Sequence, residues 1–444
     1  MKKIIINIFF NFLILFSGIN MVRGQDLALT PKDAVIRILE ENLEIQVAEN
    51  TTLIAKQNAS PLNSGYLPTL DANANASFSN TFEQESEINE SIVNINNLET
   101  SRYNSGLNLN YTLFDGMGRL YNYKTFKEKY ELSELQTREV IENTLLQLFT
   151  VYYQVASTEE SVSVLRQSLD ISKGRLILTQ RKFKFGQGTK LNVLNAKVDI
   201  NTDSINLING LQSLENSKRD LNLILNQSLE TTYSVITSVE FIPLLEMEKY
   251  FGASLEDNVL LLQAKRALSI SEIKQKALVE NFLPKVNLSG SYGWTRSNNG
   301  SLSFIPFSNG VQGSIAASMS WSLFNGGKRS IQNATTKIEV ENQTLQLENQ
   351  RLSLEKERKN QWTYYLNLLQ VFEMQKLNVE TNEDNFRRSQ KNFELGQITA
   401  IEYRQAQLNL LAAKINLREA KYSAKLAELK FLQIAGVLLD AKFY

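Results

Sequence analysis

The side chains that most often perform chemistry in proteins are absent from this sequence. Its 444 residues contain neither Cys nor His. Disulfides, thiolate metal sites and an acylated N-terminal cysteine are therefore excluded, and the commonest general base and metal ligand is missing. Lys plus Arg and Asp plus Glu both total 47, and this balance argues against a dedicated nucleic-acid-binding protein.

Two glycine-containing motifs recur in the same order in both halves of the chain. A Leu-Phe-Asp/Asn-Gly motif ends at Gly116 and again at Gly326, about 210 residues later. A Phe-x-x-Gly-Gln-x-Thr motif occupies residues 183–189 and, at the same offset, residues 393–399. Self-similarity at a fixed period indicates a repeat architecture, so the sequence is a tandem duplication.

Long helices must connect these motifs. Between Lys328 and Leu395 the sequence contains neither Gly nor Pro, and at about 1.5 Å per residue a continuous helix would be roughly 100 Å long. The first half matches this run, with Gly174 as its one interruption. Helices of this length imply coiled-coil-like packing. We predict long helices over about 117–185 and 327–395, and return helices over about 190–229 and 399–436.

Period-two alternation of apolar and small polar residues predicts four strands. They cover about 67–82, 105–114, 284–296 and 311–324. Their polar faces carry Asn, Ser and Thr, whereas the outward face of a soluble sandwich usually carries charges. Such strands fit an outer-membrane barrel. Its lipid side would hold Trp294, Trp321 and Ala317, and its lumen side would hold Asn287, Ser320 and Ser318.

Four strands are too few for a closed barrel, which needs about eight or more. Open sheet edges are not permitted within lipid, so the chain must oligomerise. A dimer, trimer or tetramer would provide about 8, 12 or 16 strands. An ordinary filamentous coiled coil would explain the helices alone, but it does not explain the strands.

The first residues indicate export from the cytoplasm. Two lysines precede an apolar stretch over residues 4–16, and residues 22–24 resemble a cleavage site ahead of Gln25. This pattern predicts a secretory signal peptide over residues 1–24. A transmembrane anchor is the weaker alternative, because the apolar stretch is shorter than the roughly 20 residues that a spanning helix needs.

With these features in this order and duplicated, the chain resembles a TolC-like outer-membrane efflux channel over nearly all of its mature sequence. The resemblance implies a mixed α and transmembrane β fold. Four strands per protomer would contribute to a trimeric, twelve-stranded outer-membrane barrel that continues into a long periplasmic α-helical barrel. The junctions between strands and helices would be Pro68, Pro284, Gly116 and Gly326.

The resemblance also implies how the chain is divided. A first repeat over 25–229 and a second over 252–436 would be joined by an equatorial linker over 230–251 and followed by a tail over 437–444. The linker is β-prone, and we expect it to join the tail in a girdle around the helical barrel. The two outer loops would cover residues 83–104 and 296–309.

In the family, the two glycine turns lie at the periplasmic tip, where they meet an adaptor and narrow the tunnel. The implied docking residues are Gly186, Gln187, Thr189, Gly396, Gln397 and Thr399. Acidic residues commonly sit six and nine positions after each turn glycine and ring the aperture. At these positions the chain has Asn192, Asn195, Glu402 and Gln405. A trimer would thus present one ring of three carboxylates, from Glu402. Alternatively, Glu402 only caps the helix after Thr399.

The leading functional hypothesis is a passive exit duct of a tripartite efflux system. It would carry small molecules from an inner-membrane transporter and a periplasmic adaptor to the outside. The expected partners are these two proteins, two further copies of the chain and outer-membrane lipid, with no nucleic acid. We expect no enzymatic activity, catalytic residue, cofactor or metal site. The alternatives are the outer-membrane channel of type I protein secretion and a secreted coiled-coil scaffold or adhesin without a pore.

Overall fold

The computed structural model describes residues 28–88, 91–300, 303 and 305–440. The predicted signal peptide over 1–24 and the end of the predicted tail, 441–444, lie outside these residues. The helices are α1 Pro31–Glu41, α2 Leu43–Asn58, α3 Gly118–Lys184, α4 Lys190–Ile224, α5 Leu244–Gly252, α6 Val259–Ala277, α7 Lys328–Leu395 and α8 Ala400–Ala435. The strands are β1 Thr69–Ile88, β2 Ser91–Phe114, β3 Lys285–Asn298 and β4 Phe307–Ser320.

The two longest helices, α3 and α7, reflect the scarcity of helix breakers in the sequence. They contain 67 and 68 residues, so at about 1.5 Å per residue each is roughly 100 Å long. Each turns back into a return helix, α4 or α8, and packs along it. Leu145, Phe149, Tyr152 and Val155, spaced three or four residues apart on α3, are all buried. No helix among the described residues is both long and apolar enough to cross a membrane.

Each long helix is preceded by a shorter helix, α2 or α6, that begins at an asparagine cap. Asn42 lies between α1 and α2. Its side chain accepts a hydrogen bond from the amide of Glu44 at 2.9 Å and donates one to the carbonyl of Ile224 at 3.1 Å. Asn258 does the same in the second repeat, where its side chain caps α6 and donates to the carbonyl of Ile434 at 2.9 Å. Both repeats thus tie a short helix to the end of their return helix.

The four strands form one antiparallel sheet in the order β1-β2-β3-β4. Its register places Leu109 opposite both Leu70 and Gly290, and Gly290 opposite Ile315. The apolar residues of all four strands therefore share one face, since side chains alternate along a strand. This arrangement is the predicted two-faced sheet.

Small polar side chains pair across the other face of the sheet. Asn108 donates a hydrogen bond to Asn73 at 2.8 Å, and Thr112 donates to Asn287 at 3.0 Å. The partners of each pair belong to neighbouring strands, so the polar face is continuous from β1 to β3. Such a face can line a water-filled lumen while the apolar face meets lipid.

The first hairpin extends further than the sequence suggested. The predicted outer loop over 83–104 belongs to strands, because the pairing continues through Glu83 opposite Asn96 to Ile88 opposite Ser91. These residues are mostly polar, so they carry none of the apolar alternation that identified the strands. Backbone pairing does not require that alternation, and the ladder continues beyond it. The second turn is also shorter than predicted, since β3 ends at Asn298 and β4 begins at Phe307.

Strand β4 ends earlier than predicted, at Ser320. Trp321 therefore follows the strand, and its indole Nε1 donates to the carbonyl of Phe282 at 3.2 Å. Its predicted place within the strand is wrong, whereas its position facing lipid stays a prediction, and the side chain is exposed. Trp294 does lie on the apolar face, where its Nε1 donates to Asn309 at 2.6 Å.

The predicted β-prone linker is mostly irregular and includes helix α5. Its one isolated bridge pairs Val235 with Leu29. The hydroxyl of Tyr152, which is fully buried, donates to the carbonyl of Leu29 at 2.6 Å and so fixes this bridge against α3. The linker also contacts α8, because the hydroxyl of Tyr422 donates to the carbonyl of Thr237 at 3.1 Å. It therefore packs against helices of both repeats.

Candidate functional site

Two hairpin turns, one in each repeat, join the long helices to their return helices. Gly186 and Gly396 adopt positive φ angles of 74° and 76°. In each turn the amide after the glycine reaches back into the helix, from Gln187 to the carbonyl of Lys182 and from Gln397 to that of Asn392, both at 2.8 Å. This is the Schellman type of helix end, which favours glycine at the left-handed position. The duplicated motif therefore produces the same backbone twice.

Threonines begin both return helices. The hydroxyl of Thr189 accepts from the amide of Asn192 at 3.2 Å, and that of Thr399 accepts from the amide of Glu402 at 3.2 Å. All six residues predicted to dock an adaptor are exposed in the single chain: Gly186, Gln187, Thr189, Gly396, Gln397 and Thr399. They form the end of the molecule that lies furthest along α3 and α7 from the sheet.

The carboxylate of Glu402 completes a capping box with Thr399. It accepts a hydrogen bond from the amide of Thr399 at 2.7 Å and another from its hydroxyl at 2.9 Å. These hydrogen bonds favour the ionised form and lower the pKa of Glu402. The side chain is therefore an ionised helix cap in the protomer. The first repeat lacks this arrangement because Asn192 occupies the corresponding position.

The other three predicted aperture residues share one groove. Asn192, Asn195 and Gln405 line a cavity of about 240 Å³ between the tip-proximal ends of α4 and α8. Glu402 is not among its lining residues, although its neighbours Ala400 and Ile401 in the first turn of α8 are. The structure thus brings the amides of the two repeats together and places the one carboxylate at the cap.

A mostly buried ionic cluster is formed by Arg175, Asp199, Asp203 and Arg404, and all of these except Asp203 line this groove. Arg175 of α3 donates to Asp199 of α4 at 2.5 Å. Arg404 of α8 donates two hydrogen bonds to Asp203 at 2.9 and 2.7 Å, and Ser172 of α3 donates a third to Asp203 at 2.5 Å. The cluster connects the two repeats above their tips.

Burial and charge act in opposite directions within this cluster. Burial lowers the pKa of Arg175, although Asp199 partly compensates. For Arg404, burial opposes the charged form, but hydrogen bonds and the nearby charges of Asp203 and Asp199 outweigh it and raise its pKa. Both guanidinium groups remain cations at neutral pH. They therefore act as fixed links between helices rather than as acids or bases.

Sequence reasoning missed this cluster. Asp199 and Asp203 share α4, but Arg175 lies on α3, across the turn at Gly186, and Arg404 lies on α8, 201 residues after Asp203. One signal was available, because α3 and α4 are antiparallel about Gly186, and positions at similar distances on either side of that glycine face each other. Arg175 and Asp199 nearly satisfy this condition. Nothing comparable pairs Arg404 with Asp203.

The strand-to-helix junctions also repeat. Pro68 and Pro284 directly precede the first residues of β1 and β3. Asp115 accepts a hydrogen bond from the amide of Arg119 at 2.7 Å, and Asn325 accepts from the amide of Arg329 at 3.4 Å. The Asp/Asn position of the recurring motif is therefore a side-chain acceptor for the first turn of each long helix.

The glycine that ends this motif also has a local function. Gly116 adopts a φ of 74°, and a Cβ at this position would lie 2.9 Å from the backbone of Glu280. Gly326 adopts a φ of 68° but faces open space. Both glycines supply a left-handed turn, and Gly116 also permits a close backbone approach.

A sequence model of one protein family, described as outer membrane efflux protein, matches residues 35–227 and 252–437. The chain belongs to the outer membrane efflux protein family. The match covers most of both repeats and omits the whole linker over 230–251. The resemblance to TolC-like outer-membrane channels is confirmed.

Two curated relatives of this efflux protein are similar over most of their length. The outer membrane efflux protein BepC of Brucella suis is 19% identical over 430 residues, which are 95% of this chain and 89% of BepC. The alkaline protease secretion protein AprF of Pseudomonas aeruginosa is 22% identical over 349 residues, or 76% of this chain and 70% of AprF. The family therefore includes proteins named for efflux and for protein secretion.

Solved channel structures share the fold. The outer membrane channel CmeC of Campylobacter jejuni aligns with a TM-score of 0.74 and 16% identity, covering 92% of this chain and 86% of CmeC. The efflux protein is thus an outer-membrane export channel. Its strands contribute to an outer-membrane barrel, and its long helices form the periplasmic extension. The family and its structural neighbours are channels, not enzymes.

Proposed function

We propose that three copies of this chain form a passive exit duct of a tripartite efflux system, which carries small molecules from an inner-membrane transporter and a periplasmic adaptor to the outside. This proposal rests on the two open edges of the sheet. Among the described residues, β1 and β4 each pair on one side only. Because open edges cannot remain in lipid, β4 of one copy must pair with β1 of the next. Two copies would supply about eight strands, and side chains fill the interior of a barrel of that size. Three copies would form a wider barrel that leaves room for a pore.

An exposed apolar stripe on α7 supports the same ring. Ile331, Ile338, Leu345 and Leu352 follow a seven-residue spacing, and each is more than half exposed in the single chain. A seven-residue apolar repeat is typical of a coiled-coil seam. Since α7 follows β4 and α2 precedes β1, pairing of β4 with β1 of the next copy brings the stripe beside that copy's α2.

A matching groove lies between α2 and α3. It has a volume of about 510 Å³, and its apolar lining includes Leu43, Val47, Ala48 and Val140. The groove lies below the β1 edge of the sheet, as the stripe lies below the β4 edge. We infer that the stripe of one copy fills the groove of the next and continues the barrel's closure into the periplasm.

The division into two repeats over 25–229 and 252–436 belongs to the same proposal. Each repeat supplies a strand pair and a helical hairpin, so three chains supply six of each. The linker over 230–251 and the tail would surround the helical barrel at its waist. Support comes from the contacts that the linker makes with α3 and α8.

We propose the hairpin tips as the adaptor-docking surface and the constriction. The tip residues around Gly186 and Gly396 are exposed at the end furthest from the sheet. Three copies of Glu402 would attract cations if they converge on the threefold axis. Glu402→Gln should then reduce the cation preference of single channels in planar bilayers. Unchanged selectivity would leave Glu402 as a helix cap alone.

Type I protein secretion is the second candidate, because AprF is named for alkaline protease secretion. We rank efflux first because BepC, named as an efflux protein, matches 95% of this chain, whereas AprF matches 76%. Cells that lack this channel should become sensitive to small toxic compounds while their protease secretion is unaffected. The reverse pattern would favour the second candidate.

Assembly can be tested by cross-linking purified outer membranes. The wild-type chain should give trimers, and Ile338→Asp combined with Leu345→Asp should eliminate them, because charge replaces the apolar seam. Gln332→Asp combined with Gln346→Asp is the matched control, since each lies one residue beyond a stripe position, about 100° around the helix. Only monomers or dimers from the wild-type chain would contradict the trimer.

A further inference from the structure

The duplication allows the two tips to be compared position by position, and their charges differ. From residue 171 to residue 198 the first hairpin contains no Asp or Glu. Arg181, Lys184, Lys190 and Lys197 are exposed in this stretch. The corresponding stretch of the second hairpin mixes Glu383, Asp384, Glu394 and Glu402 with a similar number of cations. Only the first tip is therefore strongly basic.

Individual positions show the same difference. Lys184 in the first tip corresponds to Glu394 in the second, and Lys190 corresponds to Ala400. The backbone of the two turns is nevertheless the same, with matching helix ends and threonine caps. The charge difference is therefore not needed to form the turn.

Among the described residues, the exposed cations of the first tip have no anionic partner. Across the described part of the chain, no carboxylate lies within ion-pair distance of Arg181, Lys184, Lys190 or Lys197. Lys190 lies 5.7 Å from the ring centre of Phe183. Like charges that are close on a helix surface repel one another, and an opposing acidic surface relieves this repulsion.

Among the described residues, Lys182 has a hydrogen-bond partner within the protomer, unlike the four exposed cations. Its ammonium group donates to the carbonyl of Phe393 and lies 4.5 Å from the centre of that ring. It therefore joins the first hairpin to the second. The four exposed cations do not take part in this internal contact, so they are available to a partner.

Apolar side chains are interleaved with the exposed cations. Phe185 is 74% exposed, Leu191 is 64% exposed and Phe183 is 43% exposed. Phe393, the counterpart of Phe183, is only 5% exposed because it packs against Tyr403 and Lys182. Aromatic residues surrounded by cations suit a protein surface that is both acidic and apolar.

We propose that the first tip, residues 181–197, binds an acidic surface of the periplasmic adaptor, whereas the second tip makes a different contact that does not depend on positive charge. This inference rests on the proposed function and adds the chemistry of the partner surface. Three copies would then place three basic and three mixed-charge tips around the axis. The adaptor would meet two kinds of site in alternation.

The test reverses charge within five residues of the turn glycine on each tip of the full-length channel in its own outer membrane. Lys184→Glu and Lys190→Glu, separately and together, are compared with Lys391→Glu on the second tip. Lys391 is also exposed, and the described residues place no carboxylate within ion-pair distance of it. We expect the double variant to lower adaptor affinity about tenfold or more at low salt, with a smaller deficit at high salt. Lys391→Glu should bind as the wild type does.

Compensating substitutions in the adaptor would identify its surface as the partner of the first tip. Adaptor variants selected to restore compound resistance to cells carrying Lys184→Glu with Lys190→Glu should replace Asp or Glu by Lys or Arg on the adaptor surface that meets the channel. Equal loss in the Lys391→Glu control, or restoration without any change of charge in the adaptor, would overturn the inference. Preferential loss of binding to phosphatidylglycerol vesicles, with adaptor binding intact, would also overturn it, in favour of a lipid surface.

A turn variant separates this inference from the proposed function. Gly186→Val disturbs the tip whatever its charge requirement. If Gly186→Val abolishes export and the charge reversals do not, tip docking stands and the acidic partner surface is wrong. If none of these variants affects export, the tip is not the docking surface. The proposal of adaptor docking at the tips and the inference of an acidic partner surface then both fail, whereas the export channel itself is not contradicted.

Discussion

Arg404 of α8 binds Asp203 of α4 through two hydrogen bonds, one from Nη1 to Oδ2 at 2.9 Å and one from Nη2 to Oδ1 at 2.7 Å. Asp203 is only 2% exposed. The contact joins the return helices of the two repeats directly above their tips. Removing one member of a buried ion pair leaves the other charge uncompensated, so the contact should govern the rigidity of the tip.

A double-mutant cycle tests this contact. Asp203→Leu should lower the free energy of unfolding by about 3–5 kcal/mol, because the guanidinium of Arg404 loses its bidentate partner. Asp203→Leu combined with Arg404→Met should recover most of this loss, since no buried charge then remains unpaired. Urea unfolding followed by hydrogen exchange in α4 and α8 measures the difference. If the loss in the double variant equalled the sum of the losses in Asp203→Leu alone and Arg404→Met alone, the two residues would not interact.

The turn positions could be predicted because they depend on local chemistry. Gly186 and Gly396 each end a long helix and are followed by a threonine that can cap the next one. Such signals lie within a few residues of the structure they specify. The duplication strengthened them, since each turn was found twice. The lengths of α3 and α7 followed from the lack of helix breakers between the turns.

The ionic cluster and the strand ends could not be predicted in the same way. Whether Arg404 meets Asp203 depends on the packing of α8 against α4, which no local pattern encodes. Strand residues such as Glu83 lie in a mostly polar stretch that lacks the alternation by which a strand is recognised. Glu402 illustrates the remaining limit, because a cap and a pore-lining carboxylate have the same sequence signature.

Because Thr399 and Glu402 form a capping box, we predict that the stability of the first turn of α8 depends on pH. Hydrogen bonds lower the pKa of Glu402 from its ordinary value of 4.5 in the folded protein. A carboxyl group whose pKa is lower in the folded than in the unfolded protein stabilises the fold at pH values above its unfolded pKa. This stabilisation is lost as the pH falls through its folded pKa. The amides of Thr399 and Glu402 should therefore lose hydrogen-exchange protection below about pH 4.5, after correction for intrinsic exchange rates.

The first repeat provides the control for this effect. Thr189 caps α4 through the amide of Asn192 without a carboxylate. Its amides should therefore keep the same protection over the same pH range. A parallel loss at both helix starts would indicate general acid unfolding, and the specific contribution of Glu402 would be contradicted.

The alternation of the sheet predicts opposite effects at neighbouring residues of β4. Ala317 lies opposite Leu288 on the apolar face, and Ser318 lies opposite Asn287 on the polar face. Ala317→Arg should cost about 2–4 kcal/mol at mid-bilayer depth and impair assembly, whereas Ser318→Arg should be tolerated in a wet lumen. The yield of trimer in outer-membrane fractions measures both. Equal tolerance would mean that the two faces have been assigned wrongly.

The turn glycines predict a loss of function without a loss of assembly. Gly186 and Gly396 have φ angles of 74° and 76°, and a Cβ at either position would meet nothing within 4 Å. The cost of Gly396→Val is therefore that of the left-handed backbone, about 1–2 kcal/mol, and not a steric clash. Because the turn is far from the sheet, the trimer should remain in the membrane while its altered tip no longer supports export. Compound accumulation in cells, together with trimer yield, measures both effects.

Gly396→Asn distinguishes the backbone from the side chain in this prediction. Asn adopts the left-handed conformation far more readily than Val, so it should preserve the turn and most of the export. If Asn and Val impaired export equally, the cause would be the added side chain at the docking surface, since both occupy space that glycine leaves open. If neither affected export, the positive φ of the turn would be a feature of helix termination with no function at the tip.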